Sequence, residues 1–323
     1  MKDEHDAFDR PRRRTRPRTK ERPNYELLPL GRVRTVDRGR YTVDVEGVSV
    51  TAMKARSLGR QGVVVGDEVR VDGDVSGATG SLARIAEVLP RTTVLRRTAD
   101  DDDPIERVVV ANADQLVVVA ALADPPPRPA LIDRCLVAAY DAGMRPVVIL
   151  TKADLASPDE MLRLLEPLDV TVVAVQRDGD LDAVRAVLID HTSVLMGHSG
   201  VGKSTLVNAL VPDADRATSA VNEVTGRGRH TSTSALALPL PGGGWIIDTP
   251  GFRSFGLAHV DVDNIVAAFP DIAAICAACP RGCTHLASEP ECALDTAVEA
   301  GTMTVERVES LRRILAARTT TTY

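Results

Sequence analysis

Aromatic side chains are scarce in this 323-residue chain: one Trp, four Tyr and four Phe make up 3% of it. The core must therefore be packed from Val, Leu, Ile and Ala, and base-stacking platforms for single-stranded nucleic acid have few rings to draw on. No apolar run approaches the roughly 20 residues that cross a bilayer. The charged N-terminus has no apolar stretch behind it, so neither a membrane span nor a signal peptide is expected. A positive field is missing as well. The formal net charge is −6, so the chain as a whole does not attract polyanions. Cysteines are not spread along the chain: four of the five fall between Cys276 and Cys292. That crowding argues against a disulfide framework and for a metal site in a reducing cytoplasm.

What is present is unevenly distributed. The length suits two or three domains, and 44% hydrophobic with 26% charged residues is ordinary for a globular protein. Residues 1–22 carry nine Lys/Arg and five Asp/Glu, a net of +4, which leaves −10 for the remainder. Residues 1–28 have almost nothing apolar to bury and read as a disordered basic tail, either a solubilising end or a contact for RNA phosphates. From residue 30 to about 90, short alternating runs broken by glycine (31–36, 41–45, 48–53 and 63–71, the last interrupted by a turn at Gly66-Asp67) predict about five strands, an OB-type barrel. Only Tyr41 is available there for stacking, so a purely structural barrel stays open. From about 105 to 255, strands expected at 108–110, 115–121, 146–150, 170–175, 193–196 and 245–247 alternate with helices at 130–142, 155–168, 181–188 and 202–210. This is the grammar of a mostly parallel, doubly covered sheet. Cys135, in the first of those helices, reads as a small buried residue. Beyond 255 the chain turns helical around the cysteines, with helices at 294–300 and 305–317. The fold class is α/β and multidomain.

Gly197, His198, Ser199, Gly200, Val201, Gly202, Lys203 and Ser204 match G-x-x-x-x-G-K-[ST] in full, followed by Thr205. An apolar strand precedes the motif and a helical run follows it, which is the setting a phosphate loop requires. The glycines free backbone N–H groups to face phosphates, Lys203 reaches the β- and γ-phosphates, and Ser204 can ligate magnesium. Asp248, on a strand end and opening D-T-P-G, is the second expected magnesium contact, and Gly251 can offer its N–H to the γ-phosphate.

Thr151, Lys152, Ala153 and Asp154 resemble the [NT]-K-x-D element that reads guanine. The carboxylate of Asp154 can accept from both N1–H and N2–H₂ of guanine, a pair that adenine does not present, so GTP and GDP are the expected ligands. Residues 173–175 can supply the loop that backs the base. This base reader precedes the P-loop and D-x-x-G, whereas GTPases ordinarily place it after them. The order is that of a circularly permuted GTPase domain. The segment after Asp248 then runs directly into the cysteine-bearing region. A small-molecule kinase would give Asp154 no role, and a non-hydrolysing RNA-binding switch is the other alternative.

The cysteines read Cys276-x₂-Cys279-x₃-Cys283-x-His285-x₆-Cys292. Three thiolates and one imidazole make a tetrahedral structural zinc site, and five donors compete for four positions.

The permuted order, the glycine-rich G-H-S-G-V-G-K-S-T, the G-R-G-R-H-T beginning at Gly226 and the D-T-P-G-F ending at Phe252 together resemble the ribosome-small-subunit-dependent GTPase family (RsgA). The likeness runs from about residue 30 to 315 and includes 91–97, Ala111 to Asp114, and Val65 to Asp67. It implies a tail at 1–28, an OB-fold at 29–93, a permuted GTPase domain at 94–256 and a small helical zinc-binding domain at 257–323. It also implies GTP hydrolysis in late maturation of the small ribosomal subunit, with that subunit and its rRNA as partners, by a cytoplasmic monomer with no membrane role. Phe252 stands where Ras-like enzymes keep the water-orienting glutamine, and the family implies that His230 does that work. Thr231, with Thr233 as alternate, is the expected switch threonine on magnesium. The family's cysteine spacing favours Cys279 over Cys276 as first zinc ligand, joined by Cys283, His285 and Cys292.

Overall fold

The computed structural model describes residues 24–98, 106–212, 214, 235–250, 257 and 259–318. His230, Thr231, Thr233, Gly251, Phe252 and residues 1–23 of the basic tail lie outside the described residues.

Five strands form the N-terminal unit: β1 (Leu30–Asp37), β2 (Arg40–Val45), β3 (Val48–Lys54), β4 (Glu68–Asp72) and β5 (Ala83–Val88). Strands β1, β2 and β3 are joined by two-residue turns, Arg38-Gly39 and Glu46-Gly47, with all four φ values positive, the backbone that matches strand twist. A parallel β3–β5 pairing and antiparallel β5–β4 and β4–β1 pairings close the barrel in the order 1-2-3-5-4-1. Alternate residues point inward, and Val33, Val43, Val50, Val69, Val71 and Ile85 are fully buried, so the core is aliphatic as the composition requires. One expectation needs correcting. Of the run 63–71, only its last part joins the barrel as β4. Val63 and Val65 are apolar because they are buried, at 5% and 3% exposure, while Val65 leaves the barrel to bridge Val110. Strand β5 was not foreseen.

The strand expected at 108–110 is also reassigned. β6 (Val94–Arg97) and β7 (Arg107–Ala111) pair with each other as a separate hairpin outside the main sheet. This hairpin docks on the barrel through Gly66. At φ +90°, a side chain there would put its Cβ 2.0 Å from Ala111 O, so only glycine lets the two backbones meet. Buried Asp67 accepts from Arg91 at 2.7 and 2.9 Å, and Asn112 Nδ2 donates to Gly66 O at 3.1 Å. Residues 65–67, Arg91 and Asn112 thus form one joint.

The main sheet is built from β8 (Gln115–Ala121), β9 (Arg145–Thr151), β10 (Thr171–Ala174), β11 (Thr192–Gly197), β12 (Leu236–Pro239) and β13 (Trp245–Asp248), in the order β10-β9-β8-β11-β13-β12. All neighbours are parallel except β12, an unforeseen antiparallel strand. β8 and β11 are buried at every residue, as central strands covered on both faces must be. Successive residues then serve opposite cores. Leu116, Val118 and Ala120 face one cluster, and Val117, Val119 and Ala121 face the other. The helices are α1 (Pro129–Asp141), α2 (Asp159–Leu165), α3 (Asp182–Leu188) and α4 (Lys203–Leu210). α1 packs into the first cluster, α3 and α4 into the second. The helix expected at 155–168 is shortened by Pro158 at its start and Pro167 near its end, and finishes as the 3₁₀ turn Glu166–Leu168. The barrel meets this sheet where β1 touches β12, with Arg32 stacked on Trp245 and bonded to Thr192 Oγ1 at 2.8 Å.

The C-terminal helices are α5 (Val262–Ala267), α6 (Pro270–Cys276), α7 (Ala293–Glu299) and α8 (Val305–Ala317). α8 joins the first core through buried Leu311 and Ile314. Among the described residues no helix is long and apolar enough to cross a membrane.

Candidate functional site

Three parallel strands end at the same edge of the sheet, and each delivers one motif. β9 ends at Thr151, β11 at Gly197 and β13 at Asp248. The carboxyl edge of such a sheet is where α/β folds bind ligands. Adjacency in the sheet, not order in the chain, therefore assembles the site.

The phosphate-loop backbone depends on glycine. Gly200 and Gly202 have φ of +85° and +90°, and a Cβ on Gly197 would lie 2.7 Å from Val119 O. Gly202 caps α4, whose first turn presents Lys203 buried and Ser204 and Thr205 exposed. The Lys203 ammonium bonds the carboxylate of Asp248 and the carbonyl of Thr249, while Thr249 Oγ1 donates to Leu195 O at 2.7 Å. P-loop and D-T-P-G are thereby joined across β11 and β13. His198 and Ser199 lie on the loop, with His198 Nδ1 2.8 Å from Ser199 O.

The base-reading segment is tied to the same loop. Thr151, 7% exposed, donates its hydroxyl proton to Val201 O at 2.6 Å and also lies 3.3 Å from Ala120 O. A short side chain hydroxyl suffices at this position because the P-loop carbonyl is that close. Lys152 has φ +61° and bonds Asp124 O through its ammonium, and Ala153 N donates to Val175 O at 3.1 Å. Asp154 is exposed, and its Oδ1 accepts from Arg177 N at 3.2 Å. The contact on Asp154 thus comes from two residues beyond the 173–175 run expected to back the base. Val173 and Ala174 lie in β10 and Val175 follows it, with Val175 N bonded to Leu150 O at 2.8 Å. Sequence reasoning missed Asp124 and Arg177, and named Thr249 only as part of D-T-P-G. Asp124 alone carries a signal, the run of three prolines that turns the chain after β8.

The cysteine-bearing segment forms a second centre. Cys279, Cys283, His285 and Cys292 bring their Sγ and imidazole nitrogen atoms within 4.8 Å of one another. Tetrahedral zinc with bonds of about 2.3 Å to sulfur sets its sulfurs roughly 3.8 Å apart, so this donor set fits the ion. Amides of His285 and Ala293 each donate to a sulfur at 3.4 Å, on Cys283 and Cys279. Such bonds favour thiolates. Burial pushes the Cys283 thiol up to about 11, with neighbouring cysteine sulfurs adding to the rise. A cation among the sulfurs reverses that preference. Burial also lowers the pKa of His285, which keeps it in the neutral form that a ligand needs. Cys276 lies outside the group of four.

Helix α8 fastens this centre to the main sheet and its helices. Arg312 donates to His285 O at 3.1 Å and to Asp295 at 2.8 Å. Arg313 reaches Asp133 on α1 at 3.0 Å and Leu164 O on α2 at 3.2 Å. Arg307 pairs with Asp169 and Asp271, each at 3.0 Å, and stacks over Phe269.

The RsgA GTPase family model matches residues 88–258. The small ribosomal subunit biogenesis GTPase RsgA of Ectopseudomonas mendocina is 43% identical over 242 residues, 72% of this chain and 69% of that protein. Its counterpart in Gemmatimonas aurantiaca is 38% identical over 264 residues, 80% of this chain and 85% of that protein. The Streptomyces coelicolor protein of the same name is 37% identical over 302 residues, 90% and 80% of the two chains. The crystal structure of YjeQ from Thermotoga maritima superposes with a TM-score of 0.65 at 25% identity, covering 90% of this chain and 98% of that one. YloQ, a circularly permuted GTPase, has the same fold at a TM-score of 0.64. With the three motifs on one sheet edge in permuted order, this chain belongs to the RsgA GTPase family.

Proposed function

We propose that this chain hydrolyses GTP to GDP and phosphate in the late maturation of the small ribosomal subunit, binding the subunit and leaving it on hydrolysis. The observation that carries the reading is the junction of the base-reading segment, P-loop and D-T-P-G through Thr151–Val201 and Lys203–Asp248. The partner is drawn from the printed names of the relatives, small ribosomal subunit biogenesis GTPases. In this reading Asp154 selects guanine and Lys152 lies along the base. Residues 197–202 cradle the phosphates with their amides, and Lys203 neutralises the β- and γ-phosphates. Gly251 donates its amide to the γ-phosphate. Ser204, Asp248 and Thr231 (or Thr233) hold magnesium, which supplies charge neutralisation at the phosphate oxygens. His230 orients the attacking water. Cys279, Cys283, His285 and Cys292 hold one structural zinc with no open position, so that hydrolysis does not need it. The chain works as a cytoplasmic monomer that contacts rRNA.

Turnover with and without purified small subunits tests this. Hydrolysis should rise when small subunits are added and stay at its basal rate with large subunits. Equal rates in all three mixtures would sink the ribosomal reading, and no hydrolysis in any would sink the enzymatic one. His230→Ala should lower kcat while nucleotide affinity stays near wild type, because orienting water matters in the transition state. A parallel fall in affinity would assign His230 to binding instead.

A further inference from the structure

Five soft donors surround a centre that takes four. Cys276 stands outside the close group, yet its Sγ lies 3.6 Å from His285 Nδ1, the same separation that Cys279 Sγ keeps from that nitrogen. A sulfur and a nitrogen bound to one tetrahedral zinc stand about 3.5 Å apart, given bonds of about 2.3 and 2.0 Å. Toward His285, both thiols therefore have the spacing of fellow ligands. The backbone explains why. α6 ends at Cys276, and Cys279 N donates to Cys276 O at 3.0 Å, closing a turn of three residues. Residues i and i+3 of such a turn eclipse one another, so the two thiols project to the same side. Both are partly buried. Cys283 and Cys292 have no such neighbour in sequence.

We propose that Cys276 is an alternate zinc ligand for the position of Cys279, giving the centre two interchangeable sets of three cysteines and one histidine. The inference rests on the zinc reading above. In the exchange, Cys276 loses its thiol proton and forms a zinc–sulfur bond, while the zinc–sulfur bond of Cys279 breaks and its thiolate takes up a proton. Zinc stays divalent and nothing is oxidised. The consequence is retention: loss of the Cys279 thiol to alkylation or substitution leaves a complete ligand set, whereas loss of Cys283 or Cys292 does not.

The test uses full-length chains carrying Cys276→Ser, Cys279→Ser, both together, or Cys283→Ser. Each is stripped of metal and titrated with Co²⁺, read by thiolate-to-cobalt charge transfer and visible d–d absorption, then competed with Zn²⁺. Wild type and Cys276→Ser should bind alike. Cys279→Ser should still bind about one ion per chain in a tetrahedral site, at an affinity reduced roughly 10–100-fold, the scale of disturbed ligand support. The double variant should fall to the level of Cys283→Ser. Cys279→Ser and the double variant share any folding defect that loss of Cys279 brings, so their difference reads Cys276 alone. Iodoacetamide supplies a second readout: in zinc-loaded Cys279→Ser, Cys276 should be protected and should become reactive once a chelator is added. Binding by Cys279→Ser no better than by the double variant, or equal reactivity of Cys276 with and without zinc, overturns the proposal while the zinc reading stands. A wild-type chain that binds neither metal overturns both.

Discussion

In the nucleotide site, the groups that meet are far apart in the chain: Thr151 and Val201 are separated by 50 positions, Lys203 and Asp248 by 45. In the cysteine centre, the four donors come from the single stretch between Cys279 and Cys292, closed by local turns such as Cys283 N to Pro280 O. The first centre inherits its geometry from a sheet whose strands are held by two aliphatic cores. The second is local in the chain, with Cys292 buried in the first of those cores and Cys279, Cys283 and Leu286 packed against it. The arginines of α8 link the two, beside the apolar contacts of the first core.

The largest effect that sharpens this contrast is metal removal. Zinc binding supplies on the order of 10 kcal/mol in small metal-folded modules. Stripping it should abolish hydrogen-exchange protection across α6 and α7 while GTP affinity stays close to wild type. If affinity collapses together with that protection, the two centres are one cooperative unit and the contrast fails. Lys203→Ala attacks the other side. Turnover should drop at least about a hundredfold, with metal content unchanged by elemental analysis. Wild-type turnover would remove this loop from catalysis.

Smaller changes probe single bonds. Asp154→Asn should weaken GTP and GDP binding roughly 10–100-fold, the worth of a charge-assisted hydrogen bond, and relax rejection of ATP and XTP in competition. An unchanged preference for GTP would free Asp154 from base reading. Thr151→Val keeps the branched shape but leaves Val201 O without its donor, so nucleotide affinity should fall about fivefold, or about 1 kcal/mol, by calorimetry. The smallest effect concerns the link itself. The hydrogen bond from Arg307 holds the Asp271 carboxyl below the usual carboxylate range, against a weaker opposing effect of burial. Its stabilisation is therefore fully present above the unfolded value near 4, and is lost as pH falls through the lower folded value. Asp271 is about half exposed, so Asp271→Asn should cost less than about 1 kcal/mol at pH 7, and the difference in Tm should vanish toward pH 2. A gap that persists in acid would mean that the residue acts through packing.

Much of both centres was legible because the chemistry is local. Gly200 and Gly202 at positive φ, Lys203 at a helix start, and thiols a few residues apart each leave a signature within one short window. Boundaries were less legible where a run had two explanations. Val63 to Val65 has the pattern of a barrel strand, but Val63 is buried in the barrel core without a strand of its own and Val65 is buried by the joint. Residues 108–110 have that of a central strand but pair only within their hairpin. The short β12 carries too few residues to announce a period.

The sequence by itself determined the chemistry that each short window offers, because a phosphate loop, a T-K-x-D segment and a set of thiol and imidazole donors are each specified by neighbouring residues. It also determined that the core is aliphatic and that the motifs are permuted. Only the tertiary structure decided how those pieces face one another. It put Thr151 against Val201, brought Arg177 N to Asp154, set Gly66 on Ala111, and placed both Cys276 and Cys279 3.6 Å from one imidazole. The reason is physical. Strand pairing and burial act between residues with no relation in sequence, so which backbone groups come within 3 Å is settled by the sheet as a whole and by the helices packed upon it.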